Sequence, residues 1–207
     1  MLKALMRRWR GVASVATPAA LIEFLDRRAA LVAQKSIIGY CHVKTRLPLS
    51  ELTIEKQFAD AFEIARWEGY AAVLADLVVM TEGYLRPFAG PRSRDLVDPL
   101  AGIYEQTLAI HPRPGHRPEG WAADVERLRL RLQTAQAGPV RGPMEVALTS
   151  AERLYETLPI HATLREPDKP AIIANVQFLI VGLAHEFRKQ LDCVALVAEL
   201  LPARDTA

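Results

Sequence analysis

Cysteine is scarce in this 207-residue sequence, which contains only Cys41 and Cys193. The two lie far apart and form no closely spaced pair, so the sequence indicates neither a disulfide framework nor a zinc knuckle. Unpaired cysteines are typical of proteins in a reducing compartment. We therefore expect a cytoplasmic protein in which both thiols are small core residues.

Aromatic residues are also few, at 7% of the chain, although 50% of the chain is hydrophobic. Ala, Leu, Ile and Val must supply most of the core, and that composition favours helices over sheets. The most apolar stretch, residues 171–184, contains Asn175 and Gln177. It is shorter than the ~20 residues that a membrane span requires. We therefore predict no transmembrane helix.

Recognisable catalytic motifs are missing. The sequence has no Walker A loop, no dinucleotide-binding G-x-G-x-x-G and no G-x-S-x-G nucleophile motif. The HEFRK motif at 185–189 lacks the second histidine of a zinc protease, and the Glu-x-x-His pattern of di-iron bundles does not occur. We therefore predict no metal, no cofactor and no catalytic residues, and the sequence favours a non-enzymatic protein.

A strong excess of charge of either sign is lacking, since 26 basic residues against 24 acidic ones give a net charge of +2. Nucleic-acid binding usually needs a broad basic face, so we expect no nucleic-acid partner. Arg127, Arg129 and Arg131 alternate with leucines, but Asp124 and Glu126 lie beside them in the sequence. This pattern favours a solvated helix face over a phosphate-binding one.

The basic charge is concentrated at the N-terminus. Lys3, Arg7, Arg8 and Arg10 all precede the first acidic residue, Glu23. Removing these four leaves 22 basic against 24 acidic residues, so the rest of the chain is slightly acidic. We treat residues 1–16 as a basic segment separate from a helical domain at 17–207.

Hydrophobic residues in this segment recur at helical spacing, with Leu2, Leu5, Met6 and Trp9 on one face. A basic helix with a tryptophan on its apolar side is typical of segments that lie in an anionic membrane interface. The simpler alternative is a basic terminus that docks on the acidic remainder of the domain or stays unattached.

Proline and glycine divide the rest of the chain into segments with helical periodicity. The predicted helices cover about 18–46, 50–85, 95–111, 120–137, 143–161 and 170–201. The short turn after the first of these predicts an antiparallel hairpin. The last helix is apolar on all sides, which predicts a central position. The fold class is therefore an all-α, single-domain bundle of about six helices.

Asp76 is predicted to point inward, because it lies on the apolar face of the second helix. A buried carboxylate must be paired or neutralised, since burying it alone costs several kcal/mol. We expect its partner on the last helix, where the candidates are Asn175, Gln177 and His185. Folding the hairpin also places His42 opposite Glu55, which predicts a second polar pair.

Two functional hypotheses follow. The first is a non-enzymatic helical adaptor or accessory protein that contacts a protein partner or the inner membrane surface through its N-terminal segment. The second is a small-ligand-binding module, or an enzyme, with a pocket around Asp76 and the C-terminal helix. Trp67, Tyr70 and Leu74 lie opposite the apolar stripe of the second helix, which suggests a homo-oligomer.

Overall fold

The computed structural model describes residues 14–202. This part of the chain contains seven helices of eight or more residues and no strands. They are α1 (Pro18–Thr45), α2 (Lys56–Ala89), α3 (Val97–Ala109), α4 (Ala122–Gln136), α5 (Leu148–Thr157), α6 (Lys169–Gln190) and α7 (Cys193–Leu200). The predicted all-α, single-domain bundle is confirmed. Residues 1–13 of the basic segment lie outside the described residues.

The predicted N-terminal hairpin is present. Thr17 caps α1 by accepting a hydrogen bond from the Ala20 N–H, and Pro18 occupies the first helical position. The helix ends at Thr45, and Arg46 caps it in the left-handed conformation, with its N–H donating to the His42 carbonyl. The chain returns through α2, which packs antiparallel to α1.

The centre of the bundle is α2, and this differs from the prediction that the C-terminal helix is central. The side chains of α2 are buried on almost every side from residue 68 to 83, and α2 contacts α1, α3, α5 and α7. By contrast, α6 buries one face only, and Phe178 on its other side is 75% exposed. Within the apolar stretch 171–183, the other exposed residues are Ala171, Ala174, Asn175 and Gly182. A helix can therefore be apolar all round and still lie at the surface.

Two helix boundaries also differ from the prediction. The second helix begins at Lys56, because a single turn at Leu49–Leu52 comes first and Glu55 is extended. The last predicted helix is divided into α6 and α7 at Leu191, whose backbone is extended. Asp192 then caps α7 by accepting a hydrogen bond from the Ala195 N–H. The alternating RLRLRLQ segment is helical, as predicted, and lies within α4.

By length and composition alone, residues Ala162–Gln190 would be able to cross a membrane, with a mean hydropathy of 1.4 over the best 18-residue window. One third of that window is buried inside the protein. The buried side chains, among them Val176 and Phe187, face the bundle. Core helices of soluble proteins meet the same criterion, so the finding is weak support for a span.

Candidate functional site

Asp76 is completely buried near the middle of α2, as its position in the sequence predicts. Its Oδ1 lies 2.5 Å from Nη2 of Arg131 on α4, and its Oδ2 accepts a 3.0 Å hydrogen bond from the Ser150 N–H. Burial raises the pKa of Asp76, although Arg131 and Ser150 both act to lower it. The carboxylate therefore connects three helices of the core.

The predicted partners of Asp76 are wrong. Asn175 and His185 are both exposed on α6. Gln177 is partly buried but donates its amide N–H to the Met144 carbonyl, at 2.9 Å. The reason is the position of α6, which packs on α1 and α5 rather than over the polar part of α2. A ligand pocket formed by Asp76 and the C-terminal helix is therefore absent from the described part of the chain.

The predicted pair of His42 and Glu55 does not form either. Both side chains are exposed, and Nδ1 of His42 lies 3.3 Å from the Leu47 carbonyl. The extra helical turn at Leu49–Leu52 lengthens the connection between α1 and α2. Residues equally distant from Pro48 are consequently not level with each other.

The surface suggested for a homo-oligomer is occupied within the chain itself. Tyr70 and Leu74 are buried, and Trp67 is partly buried. Tyr70 donates a 2.7 Å hydrogen bond to Asp26 on α1, while Tyr70 and Trp67 both contact the His111 ring. These residues face α1 and the loop after α3, so much of the surface suggested for a second copy is covered within the chain.

Sequence reasoning missed a second buried carboxylate, Glu68, on α2. Its oxygens accept two 2.6 Å hydrogen bonds from Arg117, one of 2.7 Å from Arg153, and lie 3.0 Å from Nε2 of His116. Burial alone would raise the pKa of Glu68, but these partners lower it to about 2. No spacing in the sequence connects the four residues, because they come from α2, a loop and α5.

A polar cleft of about 420 Å³ opens beside these two carboxylates. Arg117, Arg127, Arg131 and Arg153 line it, and each of them already pairs with an acidic side chain. The charges of the cleft are therefore compensated internally. This arrangement holds α2, α4 and α5 together and leaves little unbalanced charge to attract an anion.

A different surface lies at the end of the bundle where α2 finishes and α6 meets α7. It is an open groove of about 850 Å³, which we call the basic-rimmed groove. Three apolar side chains stand exposed in it: Phe88 (54%), Val140 (48%) and Val194 (67%). Phe88 lies in the last turn of α2 directly after Pro87, and Val140 lies in the proline- and glycine-rich segment after α4, which is the signal that sequence reasoning overlooked.

The rim of this groove is positively charged. Arg141, Arg188 and Lys189 line it, against a single acidic residue, Asp192. None of the ion pairs among residues 14–202 involves Arg188 or Lys189, and Arg141 makes only an exposed 3.4 Å contact with Glu145. In contrast to the polar cleft, this surface carries uncompensated positive charge beside exposed apolar groups.

The N-terminal segment joins the fold at the same groove, since Ser14 is one of its lining residues. The next residue, Val15, is buried and held by two backbone hydrogen bonds. Its N–H donates to the Gln190 carbonyl at 2.8 Å, and its carbonyl accepts from the Asp192 N–H at 3.1 Å. Lys3, Arg7, Arg8, Trp9 and Arg10 therefore precede a fixed attachment point at the groove.

No group of three or more potential metal ligands is found among residues 14–202. No protein-family profile, no curated protein sequence and no solved structure matches the chain.

Proposed function

We propose that this protein is a non-enzymatic helical accessory protein that docks on an anionic membrane surface through the basic-rimmed groove and residues 1–13. The observation that carries the proposal is the coincidence of three features at one end of the bundle. Exposed apolar side chains, an uncompensated basic rim and the attachment point of the basic segment all meet there.

The chemistry of the groove suits a lipid surface. Phe88 and Val194 can enter the boundary between headgroups and acyl chains, while Arg188 and Lys189 contact lipid phosphates. Each basic residue close to an anionic membrane contributes about 1 kcal/mol. Such contributions are individually weak, and stable peripheral binding usually requires two signals.

Residues 1–13 provide the second signal. Their sequence places Trp9 among apolar residues and supplies four basic side chains. The segment is attached through Val15 at the edge of the groove, so both elements can reach the same membrane plane. In this proposal the bundle serves as a rigid body that presents the two elements together.

Vesicle co-sedimentation of the full chain tests the proposal. The vesicles are phosphatidylcholine alone, or phosphatidylcholine with about one quarter phosphatidylglycerol, at low and high salt. We expect binding to the anionic vesicles, with loss at high salt because screening weakens the basic contacts. Absence of binding to anionic vesicles at low salt would refute the proposal, as would equal binding to neutral vesicles.

Substitutions locate the docking surface. Phe88→Ser, the pair Arg188→Gln with Lys189→Gln, and the set Arg7→Gln, Arg8→Gln and Arg10→Gln are each expected to lower the partition coefficient about tenfold or more. Matched controls on another surface are Phe178→Ser and Lys35→Gln, which should retain binding. If the controls weaken binding as much as the groove variants, the groove is not the docking surface.

A further inference from the structure

A third cavity, separate from the polar cleft and the basic-rimmed groove, lies between α1, α2 and the loop that follows α3. Its volume is about 340 Å³, within the usual range of small-molecule sites. Ala30 and Ala33 of α1 form one wall, and three aromatic rings form much of the opposite side. Nothing in the proposed membrane docking makes use of this cavity.

The three rings belong to Trp67, Tyr70 and His111, and they pack edge to face around one another. Their centroids are 5.5–6.0 Å apart, with interplanar angles of 65–90°. This is the preferred geometry of aromatic pairs, and each such contact adds stability beyond its buried area. The rings therefore form a fixed surface rather than a set of independently moving side chains.

Two carboxylates fix the polar atoms of these rings. Oδ1 of Asp26 accepts the Tyr70 hydroxyl and lies 2.7 Å from Nε2 of His111. Oε1 of Glu63 accepts the Trp67 indole N–H, also at 2.7 Å. Neither carboxylate lines the cavity. The ring surface that faces the cavity is consequently largely apolar and already organised for a ligand.

Arg66 and Gln34 supply the polar groups of the cavity lining. Arg66 lies at the cavity with its guanidinium 5.2 Å from the centre of the Trp67 ring. It uses one N–H on Glu63, out of the five that a guanidinium carries. The exposed Gln34 adds a side-chain amide, and no acidic residue lines the cavity among the residues that the structure describes. Glu63 offsets the charge of Arg66, but the remaining guanidinium N–H groups and the Gln34 amide can donate hydrogen bonds to a carboxylate at the mouth.

We propose that this cavity binds a small aromatic carboxylic acid. The ring of the ligand lies against Trp67 and the alanines of α1, and its carboxylate accepts hydrogen bonds from Arg66 and Gln34. Planar shape is favoured because flat ring surfaces bound the cavity, and the guanidinium N–H groups of Arg66 that do not contact Glu63 suit the two oxygens of a carboxylate. The loop residue His111 closes one side of the site.

Isothermal titration of the full chain with benzoate tests this site, and benzyl alcohol serves as the uncharged comparison ligand. We expect benzoate to bind with a Kd below about 1 mM and benzyl alcohol at least about tenfold more weakly. Arg66→Gln should weaken benzoate binding about tenfold or more, because it removes a charge-assisted hydrogen bond. Ala30→Leu should abolish binding by filling the exposed mouth.

Arg27→Gln is the matched control, since Arg27 is also an exposed arginine in an ion pair within one helix turn. It should bind benzoate as the wild type does. Thermal unfolding of each variant establishes that the fold is retained. The proposal is overturned if wild-type protein shows no benzoate binding at about 10 mM, if benzyl alcohol binds equally well, or if Ala30→Leu and Arg66→Gln bind benzoate as tightly as the wild type. None of these results depends on vesicle binding.

Discussion

Asp76 and Arg131 form an ion pair that joins the centre of α2 to α4, with 2.5 Å between Oδ1 and Nη2. The carboxylate is completely buried, whereas a quarter of the arginine side chain reaches solvent. Removing one partner of such a pair leaves a buried charge without compensation, which is far more costly than losing an exposed ion pair.

The first prediction concerns Arg131→Met. We expect the free energy of unfolding at neutral pH to fall by about 3–5 kcal/mol, as measured by urea denaturation. Because burial raises the pKa of Asp76, the carboxylate takes up a proton more readily in the folded state than in the unfolded one. The loss of folding stability caused by Arg131→Met should therefore become smaller as the pH is lowered.

Arg129→Met provides the control on the same helix, since Arg129 pairs with the exposed Asp98 at 3.0 Å. We expect Arg129→Met to lower the free energy of unfolding by less than about 1 kcal/mol. Asp76→Asn tests the cause directly, because it removes the buried charge. In that background, Arg131→Met should cost much less. Equal costs in the two backgrounds would show that the ion pair with Asp76 is not the cause, and that the arginine acts through packing or its hydrogen bond to the Val146 carbonyl.

The second prediction concerns acid unfolding and Glu68. Its pKa is about 2 in the folded protein, against about 4.3 for an unperturbed glutamate. The stabilisation is therefore complete above about pH 5 and is lost as the pH falls toward 2. The difference between the folded and unfolded pKa values of Glu68 corresponds to about 3 kcal/mol of folding stability.

Urea denaturation at a series of pH values from about 6 down to about 2 measures this effect, because the range spans the unfolded and folded pKa values of Glu68. Glu68→Gln should be less stable than the wild type at neutral pH, and the difference should narrow as the pH falls. Glu23→Gln, at an exposed ion pair, should keep the wild-type pH dependence. A constant difference between Glu68→Gln and the wild type would contradict the assignment.

The third prediction compares two helical glycines. A Cβ at Gly69 would lie 2.4 Å from Cδ2 of the buried Leu154, whereas one at Gly39 would have no neighbour within 4 Å. Overpacking costs about 1–3 kcal/mol, and relief of glycine flexibility in a helix is worth about 0.5–1 kcal/mol. We expect Gly69→Ala to lower the unfolding midpoint and Gly39→Ala to raise it.

The comparison has an internal check, because Leu154→Ala should relieve the crowding at residue 69. The cost of Gly69→Ala should be smaller in that background than in the wild type. An equal cost would mean that contact with Leu154 is not the cause.

Helical periodicity was sufficient to predict the fold class, the hairpin and the inward position of Asp76. These features depend on local spacing, which a single sequence contains. The partner of Asp76 depends on which helix packs over it. Arg131 lies in an alternating stretch with other arginines, and nothing local distinguishes it from its solvated neighbour Arg129. Pairing across helices is decided by packing, which periodicity does not encode.

The central position of α2 was missed for a related reason. An apolar composition on all sides predicts a core helix, but within the apolar stretch 171–183 of α6 the exposed apolar residues other than Phe178 are only alanine and glycine. Small residues expose little apolar area. Conversely, α2 carries three buried carboxylates, and each is neutralised by arginine: Glu68 by Arg117 and Arg153, Asp76 by Arg131, and Glu82 by Arg86 of α2 itself.

The anchoring of Val15 has a consequence for binding strength. Two backbone hydrogen bonds hold it between Gln190 and Asp192. If the proposed docking is correct, residues 1–13 and the basic-rimmed groove act as two binding elements joined by a short link. Once one element is bound, the other meets the surface at a millimolar effective concentration, which can multiply a weak affinity about 10²–10⁴-fold without a further contact. A long flexible insertion between Ala13 and Ser14 should therefore weaken docking, although it changes no residue that touches the surface.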